Sequence, residues 1–262
     1  MHCFTAIRFA LKALYYLHYL WLLVLFFLII FSAVLLLIFL SIIPEAKAVR
    51  IFRSFYLLWG RILNSVTGIN FISTGEEHVD FGRSYVIVAN HTTKLDVFMI
   101  AYCMRMLFKA LGKIEIKRIP LIGWAFGAVC IFVKRSNAKS RKKSLEDMKA
   151  AAAKGFSILV FPEGTRNPSN RPLINFRDGA FRTAIETGLP ILPMIFLNGR
   201  WLMPNDGLLL KSGIMECRFL SEVPVEKYTI DDIEILKKKV YDMMKDVIVK
   251  EDRIYKTKET AS

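Results

Sequence analysis

Between Ala13 and Pro44 the chain carries no formally charged residue, only the weakly basic His18, and Leu20 to Ile43 is almost wholly Leu, Ile, Phe, Val and Trp. A helix crossing hydrocarbon needs about 20 apolar residues, and this run is long enough. A cleavable secretory leader has an apolar stretch of roughly 7–15 residues; this run is longer, and no small-residue cleavage site follows it. Arg8 and Lys12 precede it, whereas Lys47, Arg50, Arg53 and Arg61 follow. The heavier basic flank places the main domain on the cytoplasmic side of a membrane. Ile51 to Leu63 sets Phe52, Phe55, Leu58 and Trp59 among Arg53 and Arg61, the pattern of an interfacial helix or, equally, of one packed on the domain. A hairpin resting in one leaflet is the alternative to a full span. The expected organisation is an anchor and interfacial helix over 1–66, a catalytic domain over 67–250 and a polar, frayed tail over 251–262.

The remaining composition agrees with a lipid setting. The chain has 262 residues, 54% of them hydrophobic, and a net charge of +14. Basic and hydrophobic together point to an anionic bilayer surface. Nucleic acid is not an expected partner, because zinc-finger spacing, an RNA-binding aromatic motif and a basic zipper are all missing. Cys3, Cys103, Cys130 and Cys217 are scattered without a Cys-x-x-Cys pair, which indicates neither a disulfide framework nor a structural zinc site. No metal site is expected, since the His-Glu-x-x-His signature is absent, and neither is a Gly-x-Ser-x-Gly nucleophile elbow.

After Gly68 the pattern turns α/β. Tyr85–Ala89, Val129–Val133, Ser157–Phe161, Ile191–Leu197 and Ile214–Leu220 read as strands. Helical patterns cover Leu95–Leu107, Ser140–Lys154, Asp178–Glu186 and Ile230–Val249. The last opens on Thr229 with Asp232 three residues on, close to a capping box, and stripes Ile233, Leu236, Val240, Met243 and Val247 toward a core. Ile119–Val133 is too short to span a bilayer and reads as a buried or interfacial turn leading into a strand.

Four segments carry the chemistry. The first is Asn90-His91-Thr92-Thr93-Lys94-Leu95-Asp96, directly after a buried strand. Five positions on one helix amount to about 140° of rotation, so His91 and Asp96 would not share a face. With His91 in the strand-to-helix turn and Asp96 in the first helical turn they converge, and a carboxylate then holds an imidazole in one tautomer. A helix cap or a core hydrogen bond is the plainer reading of His91. The second is Phe132-Val133-Lys134-Arg135, two cations past a strand and a candidate phosphate clamp. The third is Phe161-Pro162-Glu163-Gly164-Thr165-Arg166. There Gly164 permits unusual backbone angles, Arg166 can fork onto a phosphate, and Glu163 orients Arg166 or accepts a glycerol hydroxyl. A tight turn with a local ion pair is the plainer alternative. The fourth, Leu189-Pro190-Ile191-Leu192-Pro193, reads as an apolar wall suited to a fatty acyl chain.

Taken in this order, the four segments resemble the 1-acylglycerol-3-phosphate acyltransferase family, over roughly Phe71 to Leu220. Lys113 to Gly123 also resembles the family's stretch before the second block. Thr93 stands where the family often has serine, and Lys134 where an acid is frequent. The resemblance implies a mixed sheet flanked by helices, as in glycerol-3-phosphate acyltransferases, with no cofactor. It implies transfer of an acyl group from acyl-CoA or acyl carrier protein to the hydroxyl of a lysophospholipid. His91 would be the general base, held by Asp96. Lys134, Arg135, Glu163, Gly164, Thr165 and Arg166 would place the acceptor. A lyso-ornithine lipid or another lysophospholipid is the alternative acceptor, and a non-catalytic lipid-binding protein the alternative class.

Overall fold

The computed structural model describes residues 12–13, 16–17, 20–21, 24–25, 27–29, 31–32, 35–36, 39, 51, 54–55, 58–62, 65–119, 122–134, 136–204 and 210–259. Its strands are β1 (Ile69–Thr74), β2 (Val86–Ala89), β3 (Phe108–Lys113), β4 (Cys130–Val133), β5 (Ser157–Val160), β6 (Ile191–Leu197) and β7 (Gly213–Phe219). Its helices are α1 (Asp96–Cys103), α2 (Ile122–Val129), α3 (Ala138–Ala153), α4 (Gly179–Thr187), the single turn α5 (Gly199–Leu202), α6 (Ile233–Glu251) and α7 (Arg253–Glu259). The strands form one mixed sheet in the order β1-β7-β6-β2-β5-β3-β4. Every pairing is parallel except β6 with β7.

Alternation along β2 shows how the sheet is packed. Tyr85, Ile87 and Ala89 enter one apolar cluster, with Met99, Ile100 and Cys103 of α1. Val86 and Val88 enter the other, with Met148 of α3, Phe181 and Ala184 of α4 and the buried stripe of α6. Both faces are covered, so β2 and β5 read as continuous apolar runs, as parallel strands between two helical layers do. The α6 stripe is Ile233, Leu236, Val240, Met244 and Ile248. Met243 and Val247, expected in the stripe, are half-buried and pack against the same cluster beside it. The capping box forms, with the Asp232 carboxylate accepting the Thr229 N–H at 2.8 Å.

Several elements differ from the sequence expectation. β1 alternates apolar with Asn and Ser, and β3 carries Lys109, Gly112 and Lys113, so neither shows an apolar run. Val129 ends α2 and β4 begins at Cys130. The stretch from Ile119 therefore passes through a helix, not a turn alone, before its strand. α1 stops at Cys103, because the following strand takes residues from Phe108 onward. The described residues after Lys250, 251–259, differ from the expected frayed tail: α7 forms, and the buried Asp252 carboxylate accepts the backbone N–H of Asn198 at 2.7 Å and of Ile254 at 3.0 Å.

All described residues between 12 and 67 are helical. Leu25 is buried against the α1 face of the sheet, and Ile29, Trp59, Ile62 and Val66 pack beside it. Leu20, Trp21, Phe27, Phe31, Leu35 and Phe39 point outward and are exposed. Among the described residues no helix is long and apolar enough to cross a membrane. Ile43, Lys47 and Arg50, on which part of the anchor reading rests, lie outside them.

Candidate active site

Parallel pairing brings the carboxyl ends of β2, β5, β3 and β4 to one edge of the sheet, where sites gather in open α/β folds. Asn90, directly after β2, ties this edge to β6. Its side-chain amide donates to the Phe196 carbonyl at 3.0 Å, and its oxygen accepts the Phe196 N–H at 2.7 Å. His91 follows in the turn, and Asp96 is the first residue of α1. His91 Nδ1 lies 2.7 Å from Asp96 Oδ2.

Asp96 is fully buried, so its carboxylate needs several donors to offset desolvation. Oδ2 also accepts the backbone N–H groups of Thr92 at 2.7 Å and Thr93 at 3.1 Å. Oδ1 accepts the hydroxyls of Thr93 at 3.2 Å and Thr92 at 3.4 Å. An acceptor so placed puts the ring proton on Nδ1 and leaves the Nε2 lone pair outward. The His91 side chain is 21% exposed. Phe161, just past β5, stacks on the imidazole with centroids 4.1 Å apart and planes 19° from parallel.

The backbone of His91 is held at both polar atoms. Its N–H donates to Glu163 Oε1 at 2.9 Å, and its carbonyl accepts the Asn167 N–H at 2.8 Å. Glu163 Oε2 accepts the N–H of Ile174 at 3.1 Å. The buried Glu163 thus braces the turn that carries His91 through backbone groups; its oxygens face neither Arg166 nor solvent. Burial pushes its carboxyl up to about 7, and the N–H bonds from His91 and Ile174 offset only part of that. Gly164 adopts φ +72°, and a Cβ there would come within 2.5 Å of Arg177 Nε. Glycine is favoured there for its backbone angle, while a Cβ would have to displace only the flexible, exposed Arg177 side chain. Thr165 and Arg166 are exposed next to the Asn167 that bonds His91.

The second segment is less close. Lys134 is exposed at the end of β4, three strands from β2 in the sheet. At about 4.8 Å per strand that is roughly 14 Å across the edge. Arg135 lies outside the described residues. Leu189 to Pro193 sits at the other end of the sheet: Ile191 pairs with Val86 and Pro193 with Val88, all buried. It is a core strand start and not a wall beside the imidazole.

Sequence reasoning missed a second layer. Arg200, in α5, donates to the carbonyls of Asn167 at 2.9 Å and of Ser169, and to the Tyr255 hydroxyl at 3.4 Å. It secures the loop whose Asn167 holds His91. Gly199 passes close to the Thr92 and Thr93 hydroxyls, where a Cβ would come within 3.1 Å of the first. Asn198, at φ +65°, is bonded by Asp252 and in turn accepts the Arg253 N–H at 2.9 Å. Asn198-Gly199-Arg200 follows an apolar strand just as Lys134-Arg135 does. That shared placement is the signal that would have found it. Among the described residues no cluster of His, Cys, Asp or Glu is arranged to hold a metal ion.

A histidine held by a buried aspartate at a strand end is a geometry in which an imidazole can serve as a base. Residues 70–197 match the family model described as Acyltransferase. The chain is 29% identical to the 1-acyl-sn-glycerol-3-phosphate acyltransferase of Saccharomyces cerevisiae over 202 residues, 75% of this chain and 64% of that protein. It is 34% identical to the chloroplastic 1-acyl-sn-glycerol-3-phosphate acyltransferase BAT2 of Brassica napus over 127 residues, 47% of this chain and 36% of that protein. It therefore spans less than two thirds of the length of these relatives. The crystal structure of the 1-acyl-sn-glycerophosphate acyltransferase PlsC from Thermotoga maritima superposes with a TM-score of 0.74 at 21% identity, covering 91% of this chain and 95% of that one. That likeness establishes the fold. The likeness to the Acyltransferase family model covers residues 70–197, a little under half of the chain.

Proposed function

We propose that the chain transfers a fatty acyl group from acyl-CoA or acyl carrier protein to the free hydroxyl of 1-acylglycerol-3-phosphate, giving phosphatidic acid. The observation that carries this reading is the 2.7 Å contact between His91 Nδ1 and the buried Asp96 carboxylate. His91 Nε2 takes the proton of the acceptor hydroxyl as its oxygen attacks the thioester carbonyl. Such general-base assistance contributes roughly 10²–10⁴ in rate. Asp96 keeps the tautomer and steadies the imidazolium. The tetrahedral adduct collapses, the carbon–sulfur bond breaks, and the leaving thiolate recovers the proton from the imidazolium. Thr165 and Arg166 bind the acceptor phosphate, while Glu163 positions His91 through its N–H. Lys134 supplies positive field along the edge.

The outward apolar residues Leu20, Trp21, Phe27, Phe31, Leu35 and Phe39 suit hydrocarbon. We place residues 1–66 in or on the bilayer, residues 67–250 on its cytoplasmic side, and the acceptor in the adjoining leaflet. Purified protein in vesicles, offered acyl-CoA with a panel of lysolipids, tests the reading. Acylation of lysophosphatidate in preference to the other lysolipids is expected. Preference for a lyso-ornithine lipid or for a lysophospholipid with a head group would replace the acceptor.

A further inference from the structure

The sheet face opposite α1 holds a cleft of about 670 Å³ between α3 and α4. Leu111, Val133, Met148 and Val160 make its floor apolar. Phe161 and Pro162 also line it, and Phe161 is the ring stacked on His91. The cleft follows α3 from Arg141 to Lys149, a distance of about 12 Å at 1.5 Å per residue. It thus comes within one aromatic ring of the imidazole and extends well beyond the reach of a small acceptor.

The rim is basic. Its three acids are already engaged: Glu146 with Lys149 at 3.6 Å, Glu186 with Lys149 at 3.2 Å and Arg182 at 3.5 Å, and Asp178 with Lys237 at 2.8 Å. Lys142 and Arg177 form no ion pair among the described residues, and both line the cleft. Arg177 lies across Gly164.

An elongated cleft with an apolar floor and cations along its rim fits a ligand that is both apolar and polyanionic. The acceptor's phosphate stands only a few bonds from its reacting hydroxyl, so it must be bound beside His91. Acyl-CoA is built the other way: a long pantetheine arm separates its thioester from its phosphates. We infer that the α3–α4 cleft receives the 3′-phospho-ADP end of acyl-CoA, with Lys142 and Arg177 facing its phosphates. This rests on the acyltransferase reading and makes acyl-CoA the donor that the chain recognises directly.

The test uses the full chain in vesicles, with adenosine 3′,5′-bisphosphate as a separate binding probe. Lys142→Glu and Arg177→Gln are both at exposed positions. Together they are expected to raise KM for palmitoyl-CoA about tenfold, as loss of charge-assisted phosphate contacts does, while KM for lysophosphatidate stays within twofold of wild type. Leu145→Trp, which fills the cleft without changing its charge, is expected to weaken probe binding in calorimetry to a similar degree. An unchanged donor KM overturns the inference, and so does a shift in the acceptor KM instead. A loss confined to transfer from acyl carrier protein also overturns it, since the face would then dock a protein. If the wild type transfers no acyl group at all, the functional reading falls by itself. Probe binding, present in the wild type and lost in the variants, still decides the cleft.

Discussion

The Glu163 carboxylate accepts the backbone N–H of His91 at 2.9 Å, although 72 residues separate them in sequence. An acid in the third segment thus supports the backbone of the first, and the two strand ends form one unit. Its second oxygen does the same for Ile174 at 3.1 Å.

That arrangement gives a pH signature. The folded-state carboxyl is raised from 4.5 to about 7 by burial, so between those values the folded chain binds its proton more tightly than the unfolded chain. The contribution is fully present below about pH 4.5 and is lost as pH rises through about 7, roughly 3 kcal/mol in all. Glu163→Gln removes the titration. Denaturation curves for both proteins from pH 4.5 to 8 should show the wild type losing stability more steeply by that order. Equal slopes would refute the raised carboxyl.

Asp96→Asn keeps the shape but replaces an acceptor with an amide facing the His91 Nδ1–H and two backbone N–H groups. The imidazole is then free to adopt the other tautomer. A fall in kcat of about 10²–10⁴ is expected, by analogy with tautomer loss in other His–Asp pairs. His91→Ala should reach background. Acyl transfer measured at saturating substrates checks both, and an Asp96→Asn rate within tenfold of wild type would contradict the assigned role.

Arg200 acts through Asn167 and not on substrate. Arg200→Ala leaves the carbonyls of Asn167 and Ser169 without their donor and should cost about 1–3 kcal/mol of stability. Its activity loss should fall on kcat more than on KM. Arg200→Lys should recover part of the rate, because one ammonium can serve one of the two carbonyls. A KM effect without a kcat effect would instead place Arg200 at the substrate.

Gly164→Ala must hold φ +72° and meet Arg177 Nε at 2.5 Å. The backbone alone costs about 1–2 kcal/mol, and the guanidinium must also move. Lower thermal stability and a higher KM for the donor are expected together. A variant with wild-type stability would show that the turn relaxes freely.

Much of this was legible because it is local. His91 and Asp96 are five residues apart, and a strand-to-helix turn is enough to bring them together. The apolar runs of β2, β5 and β6 announced themselves because both faces of those strands are buried. β1 and β3 lie toward the sheet edges, where half-exposed residues and lysines break the signal. The partners of Glu163 differ from the expected Arg166 for a related reason. A Glu three residues before an Arg suggests a local pair, but burial turned the carboxylate toward backbone donors.

The one-dimensional chain, taken alone, determined the alternation of strands and helices, the apolar N-terminal segment and the His91–Asp96 pair, since each depends on periodicity or spacing over a few residues. Strand order was decided only in three dimensions. It joined Glu163, Asn167 and Arg200 behind His91, carried Lys134 three strands away, and docked α7 through Asp252. The physical reason is range. A backbone torsion answers to its neighbours in sequence, whereas the solvation of a buried carboxylate or guanidinium depends on whichever distant groups packing brings beside it.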